Sequence, residues 1–383
     1  MKKNLLVLSL LLSVWPLSSQ DNWSLDECIS YALDNNIRIK RYELTARISK
    51  NNYLNSKLQY LPSLNGFSNA TYNWGRTFSY DVLAYVDQNY LDGNFGAQAS
   101  ITLFNGLQNL NTMIQYKYDL MSNLENVEGA KHDITLEIAA AYLQILLNKE
   151  LLSLAEAQLE LTRLQVERSR KLVEVGNVAK GTLLEIEAQE ALERSNVINA
   201  SNNLQISYLT LTQILNLDSV GGFEIEYPEI LEIDENNMLQ SVKSIYEEAK
   251  VFMPQVKSAE YAMKSQEKAL SVARGQRYPR LLMDFVDYSR YNELAVHPSN
   301  FDSDPTNDVD TYDYRDQIRD FEYKALRLQL SIPIFNRWDI QNRIGNARVA
   351  VDDSRLYLDL TKQLLYESIQ RAHADALAAL ENY

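Results

Sequence analysis

Residues 107–175 read LQNLNTMIQYKYDLMSNLENVEGAKHDITLEIAAAYLQILLNKELLSLAEAQLELTRLQVERSRKLVEV, a run with no proline and one glycine, Gly129. Counting in sevens from Leu124 gives Leu124, Lys131, Ile138, Ile145, Leu152, Leu159, Val166 and Val173; all but Lys131 are large and apolar. The companion positions Val127, Ile134, Ala141, Asn148, Ala155, Thr162, Ser169 and Gly176 are mostly small. A sustained heptad of this kind specifies coiled-coil packing, and small residues let the helices come close. About seventy helical residues extend roughly 100 Å, longer than a globular core, so this helix must lie on a partner of similar length.

The run breaks at Gly176-Asn177-Val178-Ala179-Lys180-Gly181, and residues 182–216 read as helix again. The expectation is an antiparallel helical hairpin over about 106–216. Gly176 suits a left-handed helix stop because it lacks a Cβ. Val178, framed by two glycines, is expected to be exposed at the tip, where it either makes the turn or serves as a docking knob. The return arm is half as long as the outgoing one. The helical stretch Leu25–Leu61, free of glycine and proline, has the length to cover the remainder. Ser24-Leu-Asp-Glu27 opens it as a capping box, with Trp23 and Cys28 placed as a hydrophobic staple.

Between these helices the period changes to two. Ser68, Ala70, Tyr72, Trp74, Arg76 and Phe78 alternate with Asn69, Thr71, Asn73, Gly75 and Thr77. Phe95, Ala97, Ala99, Ile101 and Leu103 then alternate with Asn94, Gly96, Gln98, Ser100 and Thr102. Both are strands with one apolar and one polar face, forming a β-hairpin over about 64–104. Their length suffices to cross a bilayer, although a hairpin on a soluble sheet has the same pattern. On the membrane reading, Asn69, Thr71, Asn73, Thr77, Gln98, Ser100 and Thr102 face a water-filled lumen. Tyr72, Trp74, Phe78, Phe95, Ile101 and Leu103 then face lipid.

The programme runs twice. Leu61-Pro62-Ser63-Leu64 matches Tyr278-Pro279-Arg280-Leu281, and the same offset brings Ala32 to Ala249 and Lys40 to Lys257. Ser100-Ile-Thr-Leu-Phe-Asn105 matches Ser331-Ile-Pro-Ile-Phe-Asn336 at a larger offset, the extra residues falling in an acidic loop, Asn292–Asp320. Tandem helix–strand–strand–long helix repeats therefore account for residues 21–218 and 238–383, with 219–237 as a linker. The stretch from Asn336 to Tyr383 is much shorter than that from Asn105 to Gly176, so the second long helix is expected to be truncated.

Composition excludes other classes. One Cys rules out a disulfide framework, and His132, His297 and His373 lack ligand spacing, so no metal or cofactor is expected. Net charge is −14 with no basic stripe, which disfavours nucleic acid. Glu185, Glu187, Glu190 and Glu193 lack the paired histidines of a di-iron bundle and are expected on a solvated helix face, so no enzyme is expected. Lys2 and Lys3, the apolar run Leu5–Trp15 and the polar exit to Gln20 make residues 1–20 a secretory signal peptide. No later stretch is an apolar run of the ~18 residues a spanning helix needs, so any membrane span is expected to be β.

Signal peptide, tandem repeats and coiled-coil tips together resemble the TolC-like outer-membrane efflux proteins. The matching segments are Trp23-Ser-Leu-Asp-Glu-Cys-Ile29, Leu58-Gln-Tyr-Leu-Pro-Ser-Leu64, Leu103-Phe-Asn-Gly106 and Val175-Gly-Asn-Val-Ala179. Asn36-Ile37 departs from the family's usual Asn-Pro, although Pro254 stands there in the second copy. The resemblance implies a mixed α and β membrane protein, a homotrimer whose twelve-stranded barrel continues into a helical periplasmic tunnel. It also implies passive export of small molecules or proteins, in a tripartite efflux pump or type I secretion system. The expected partners are outer-membrane lipid, a periplasmic adaptor meeting residues 176–181 and, through it, an inner-membrane pump. The alternative is a soluble periplasmic coiled-coil adaptor without a barrel.

Overall fold

The computed structural model describes residues 22–79, 83–217, 223–227, 240–296 and 312–381. The elements run α1 (Leu25–Asn35), α2 (Ile37–Leu58), β1 (Ser63–Ser79), β2 (Ala84–Phe104), α3 (Gln108–Glu174), α4 (Lys180–Leu215), α5 (Val242–Phe252) and α6 (Pro254–Gly275). They continue with β3 (Arg280–Asn292), α7 (Tyr314–Asp320), β4 (Tyr323–Ser331) and α8 (Asp339–Glu381). Residues 1–21, with the signal peptide, lie outside the described residues.

The chain divides into two compact units, residues 1–44 with 126–241 and residues 45–125 with 242–383. The first unit is helical. Ser24 caps α1 through the expected box, its hydroxyl accepting the Glu27 amide while Glu27 accepts the Ser24 amide at 2.9 Å. The helical stretch beginning at Leu25 divides at Asn36, whose amide bonds the Ile214 carbonyl at 2.8 Å while its own Oδ1 caps Arg38. Cys28, Ala32 and Ile39 then pack on Ile134, Ile138, Tyr142 and Ile145 of α3 and on Leu211 and Leu215 of α4. The heptad positions Ile134, Ile138, Ala141, Ile145, Leu159, Thr162 and Val166 are buried, which is why the seven-residue comb was visible. Within the stretch read as a linker, Phe223 and Ile225 are core residues. Ile225 bridges Trp23, and the Trp23 amide donates to the Glu224 carbonyl at 2.8 Å.

The second unit holds one four-stranded antiparallel sheet of order β1-β2-β3-β4, so the two copies join edge to edge through β2 and β3. In the same unit α6 packs along α8, burying Val256, Ala259 and Leu270 on Ile344, Val351, Leu358 and Leu365, again a spacing of seven. The repeat is visible in the backbone. Asn36 and Met253, equivalent positions of the two copies, both break a helix in extended conformation. Gly106 and Leu107 have φ of 66° and 60°, and their second-copy counterparts Arg337 and Trp338 have 52° and 69°. The strands are unequal, with 17, 21, 13 and 9 residues from β1 to β4. Beyond the Asp92–Asn292 pair, β1 and β2 continue as a two-stranded finger to Ser79 and Ala84. Residues 297–311 of the acidic segment lie outside the described residues. In the described part α7 is pinned to β3 by the Ser289 hydroxyl on the Ile318 carbonyl (2.7 Å) and the Asn292 backbone amide on Gln317 Oε1 (2.9 Å).

Candidate functional site: sheet faces and hairpin turn

Directly opposed residues in a sheet share a face. The register therefore puts Asn69, Thr71, Asn73 and Thr77 on one face with Asn94, Asp92, Tyr90 and Val86. Gln98, Ser100 and Thr102 belong to the same face, opposite Val286, Asp284 and Leu282. Its polar side chains bond one another. The Asn73 side-chain amide donates to Asp92, the Ser63 and Ser100 hydroxyls lie 3.0 Å apart, and Asn69 Oδ1 accepts the Asn94 backbone amide at 3.0 Å.

Tyr72, Trp74, Phe78, Phe95 and Ile101 share the opposite face with Leu64, Leu91, Met283, Phe285, Leu326, Leu328 and Leu330. Many of these are open to solvent, Trp74 being 77% exposed. Leu103 departs from the expected alternation. It sits in a bulge between Thr102 and Phe104, and Phe104 pairs with Leu281 in its place. Charge enters this face near β3's outer end, where Lys324 meets Glu322 at 2.7 Å and Asp287 at 3.8 Å.

The other expected site is the α3–α4 turn. Gly176 has φ of 78°, its amide donates to the Val173 carbonyl (3.0 Å) and the Asn177 amide to the Leu172 carbonyl (2.9 Å). This double bond is the Schellman stop that a left-handed glycine allows. Ala179 caps α4, and Lys180 and Gly181 begin it. Val178 is half-buried, contrary to the expectation of an exposed knob; the exposed apolar side chain is its neighbour Val175, at 68%. The reason is the helix stop itself, which reverses the chain after Val175 and turns Val178 inward.

The four glutamates also separate. Arg170 pairs with Glu187 at 3.2 Å and Arg163 with Glu190 at 3.6 Å. Glu193, expected in solvent, is buried, accepting from Gln189 and from Asn196 at 3.0 Å. Among the described residues no group of three or more His, Cys, Asp or Glu could hold a metal ion. One feature of the polar face escaped the sequence reading, a row of aromatic rings that links strands of the two copies: Phe67 and Tyr288 centroids lie 6.5 Å apart, and Tyr288 and Tyr323 5.2 Å.

The family model described as outer membrane efflux protein matches residues 28–217. The outer membrane efflux protein BepC of Brucella suis biovar 1 (strain 1330) is 21% identical over 381 residues, covering 98% of this chain and 75% of that one. Two solved structures share the fold. The Campylobacter jejuni CmeC outer membrane channel matches with a TM-score of 0.72 and 14% identity, covering 93% of this chain and 73% of that one. The Vibrio cholerae outer membrane protein VceC matches with a TM-score of 0.70 and 14% identity, covering 93% and 79%.

Proposed function

We propose, from the premise that this chain belongs to the TolC-like outer-membrane efflux protein family, that three copies of it assemble into one exit duct. The protein is an outer-membrane efflux channel of the kind that serves tripartite pumps, with its helical part in the periplasm. The observation that carries the trimer is the sheet: four strands, one face apolar, and β1 and β4 at its two edges. Edge amides and carbonyls left open in hydrocarbon each cost several kcal/mol, so a sheet of this kind is stable in lipid only when closed. Three such sheets, β4 of one copy beside β1 of the next, give twelve strands. The face of Asn69, Thr71, Asn73, Thr77, Gln98, Ser100 and Thr102 then lines water, and that of Tyr72, Trp74, Phe78, Phe95 and Ile101 meets lipid.

The helices support the same assembly. Leu136, Leu143, Leu147, Leu154 and Leu161 of α3 are exposed, as are Val349, Leu356 and Leu360 of α8. Steps of seven and four give a second apolar seam beside the buried one, suited to a neighbouring copy. At 67 residues α3 is more than three times as long as the ~20 residues that span hydrocarbon, so lipid does not account for the seam. In this reading residues 175–181 meet a periplasmic adaptor, through it an inner-membrane pump supplies the energy, and the chain itself catalyses no reaction. The sheet disfavours the soluble-adaptor alternative, because such a protein would leave a wide apolar face in water.

The orientation is tested by charge. Arginine near the bilayer midplane costs about 2–4 kcal/mol on the lipid face of a barrel and little on the lumen face. Tyr72→Arg is therefore expected to lower the yield of heat-resistant trimer in the outer-membrane fraction, and Thr71→Arg to leave it near wild type. Equal yields, or the reverse order, would reject the assignment of faces.

A further inference from the structure

One row of the polar face is not polar. Phe67, Gly96, Tyr288 and Tyr323 are successive cross-strand partners, one from each strand. Gly96 is required between the rings. A Cβ there would stand 2.4 Å from the Tyr288 Cβ and 2.3 Å from the Asp287 carbonyl oxygen. Without a side chain at 96, Phe67 and Tyr288 approach each other across β2. On one side the row is flanked by Asn69, Asn94 and Arg290. On the other side stand Asn65, Gln98, Val286 and Ala325, with Asp284 opposite Arg327 one row further on.

Sheet stability alone does not explain this placement. An aromatic pair contributes about 0.5–1.5 kcal/mol beyond its buried area wherever it sits, and the apolar face already holds such pairs, Tyr72 with Trp74 and Phe78 with Tyr85. Here the rings stay open, Phe67 being 38% and Tyr323 52% exposed. We infer that the row is a contact site for planar aromatic solutes passing along the duct, with Phe67, Tyr288 and Tyr323 setting the preference. The inference rests on the reading of this face as the lumen wall. Three ring faces offer stacking, and the flanking amides of Asn65, Asn69, Asn94 and Gln98 offer hydrogen bonds to polar substituents. Asp284 and Arg327, side by side and of opposite sign, offset one another, and the flanking Arg290 guanidinium lies over the Phe321 ring, so charge acts alike on solutes of equal charge and does not separate flat from non-flat ones. The preference is therefore for a flat π system rather than for charge.

The test uses the full chain, assembled and inserted in a planar bilayer, with benzylammonium and cyclohexylmethylammonium as probes. The two have the same charge and similar size and differ in the π system. The concentration that halves the ion current is expected to be on the order of fivefold lower for benzylammonium, the factor supplied by roughly one aromatic contact. The double variant Tyr288→Leu/Tyr323→Leu keeps apolar bulk and is expected to bring that ratio close to one, each concentration being read relative to the variant's own open-channel current. Tyr323→Leu alone, on an edge strand, gives a partial loss and serves if the double variant assembles poorly. A wild-type ratio near one, or an unchanged ratio in assembled variants, overturns the inference. A Phe67→Cys variant separates that failure from failure of the lumen reading. A charged, membrane-impermeant thiol reagent should reduce its current, whereas no effect would mean that the face does not line the duct. The native Cys28 is buried and gives the reagent no target.

Discussion

Two glycines of like conformation and unlike surroundings offer a measurement of how tightly the strand-to-helix junction is packed. Gly106, between β2 and α3, has φ of 66°, and Gly176, between α3 and α4, has φ of 78°. Alanine at either site carries the left-handed penalty, about 1–2 kcal/mol. At position 176 nothing lies within 4 Å of the added Cβ, so that penalty is the whole cost. At position 106 the Cβ would fall 2.3 Å from the Gly275 carbonyl oxygen and 2.8 Å from the Tyr278 Cβ. The first is backbone and cannot rotate away, so overpacking adds about 1–3 kcal/mol. Gly106→Ala should thus cost about 2–5 kcal/mol in total, and Gly176→Ala about 1–2 kcal/mol. Hydrogen–deuterium exchange of peptides spanning each site, in the detergent-solubilised protein, reports local opening at each separately. Equal loss of protection at the two sites, or a larger loss at 176, would refute the close approach of Gly106 to Gly275.

The second copy invites the opposite substitution. Arg337 has φ of 52° where the first copy has Gly106, so Arg337→Gly should stabilise the junction by up to about 1 kcal/mol, read as slower exchange over residues 334–342. Burial pushes the Cys28 thiol from 9.0 up to about 11 and the Tyr142 hydroxyl from 10.0 up to about 12, with nearby Glu27 acting on the first and Cys28 and Glu226 on the second. Both groups keep their protons longer folded than unfolded, so their contribution is complete below pH 9 and falls as pH rises toward 12. Urea midpoints by circular dichroism should decline over that range, and a Cys28→Ala/Tyr142→Phe variant should decline less steeply. At the hairpin turn, Val175→Asp should abolish adaptor crosslinking with trimer yield unchanged, whereas Val178→Asp should also loosen the turn; normal crosslinking by Val175→Asp would reduce this segment to a turn.

Local periodicity carried most of what was legible in the sequence. The faces of β1 and β2 follow from alternation inside one strand, and the α3 core follows from a comb of sevens inside one helix. What was missed depends on pairing between distant segments. Nothing near Phe67 announces Tyr288, because the β2–β3 ladder joins the two copies across the whole of α3, α4, α5 and α6. Leu103 obeys the alternation in sequence, and only the pairing of Phe104 with Leu281 reveals the bulge. Glu193 looked solvated because its charge was read before its phase: steps of seven back from buried Ser207 pass Ala200 and arrive at it. The helix Tyr314–Asp320 is short and charged, and it holds its place through Gln317 and Ile318 bonding β3, contacts that no local pattern encodes.

The unequal strands bear on how this protein tolerates change in length. From Thr71 to Ser79 and from Ala84 to Asp92 each strand of the finger pairs with the other, with β3 reaching only Asp92. A residue added to both strands at its tip extends the ladder by one rung and leaves every pair below unaltered. A residue added to one strand alone displaces the rungs beyond it, and an exchange of inner and outer side chains follows unless a bulge absorbs it. Growth and loss in this finger are therefore matched across the hairpin, one residue per strand, and they proceed without consulting β3 or β4.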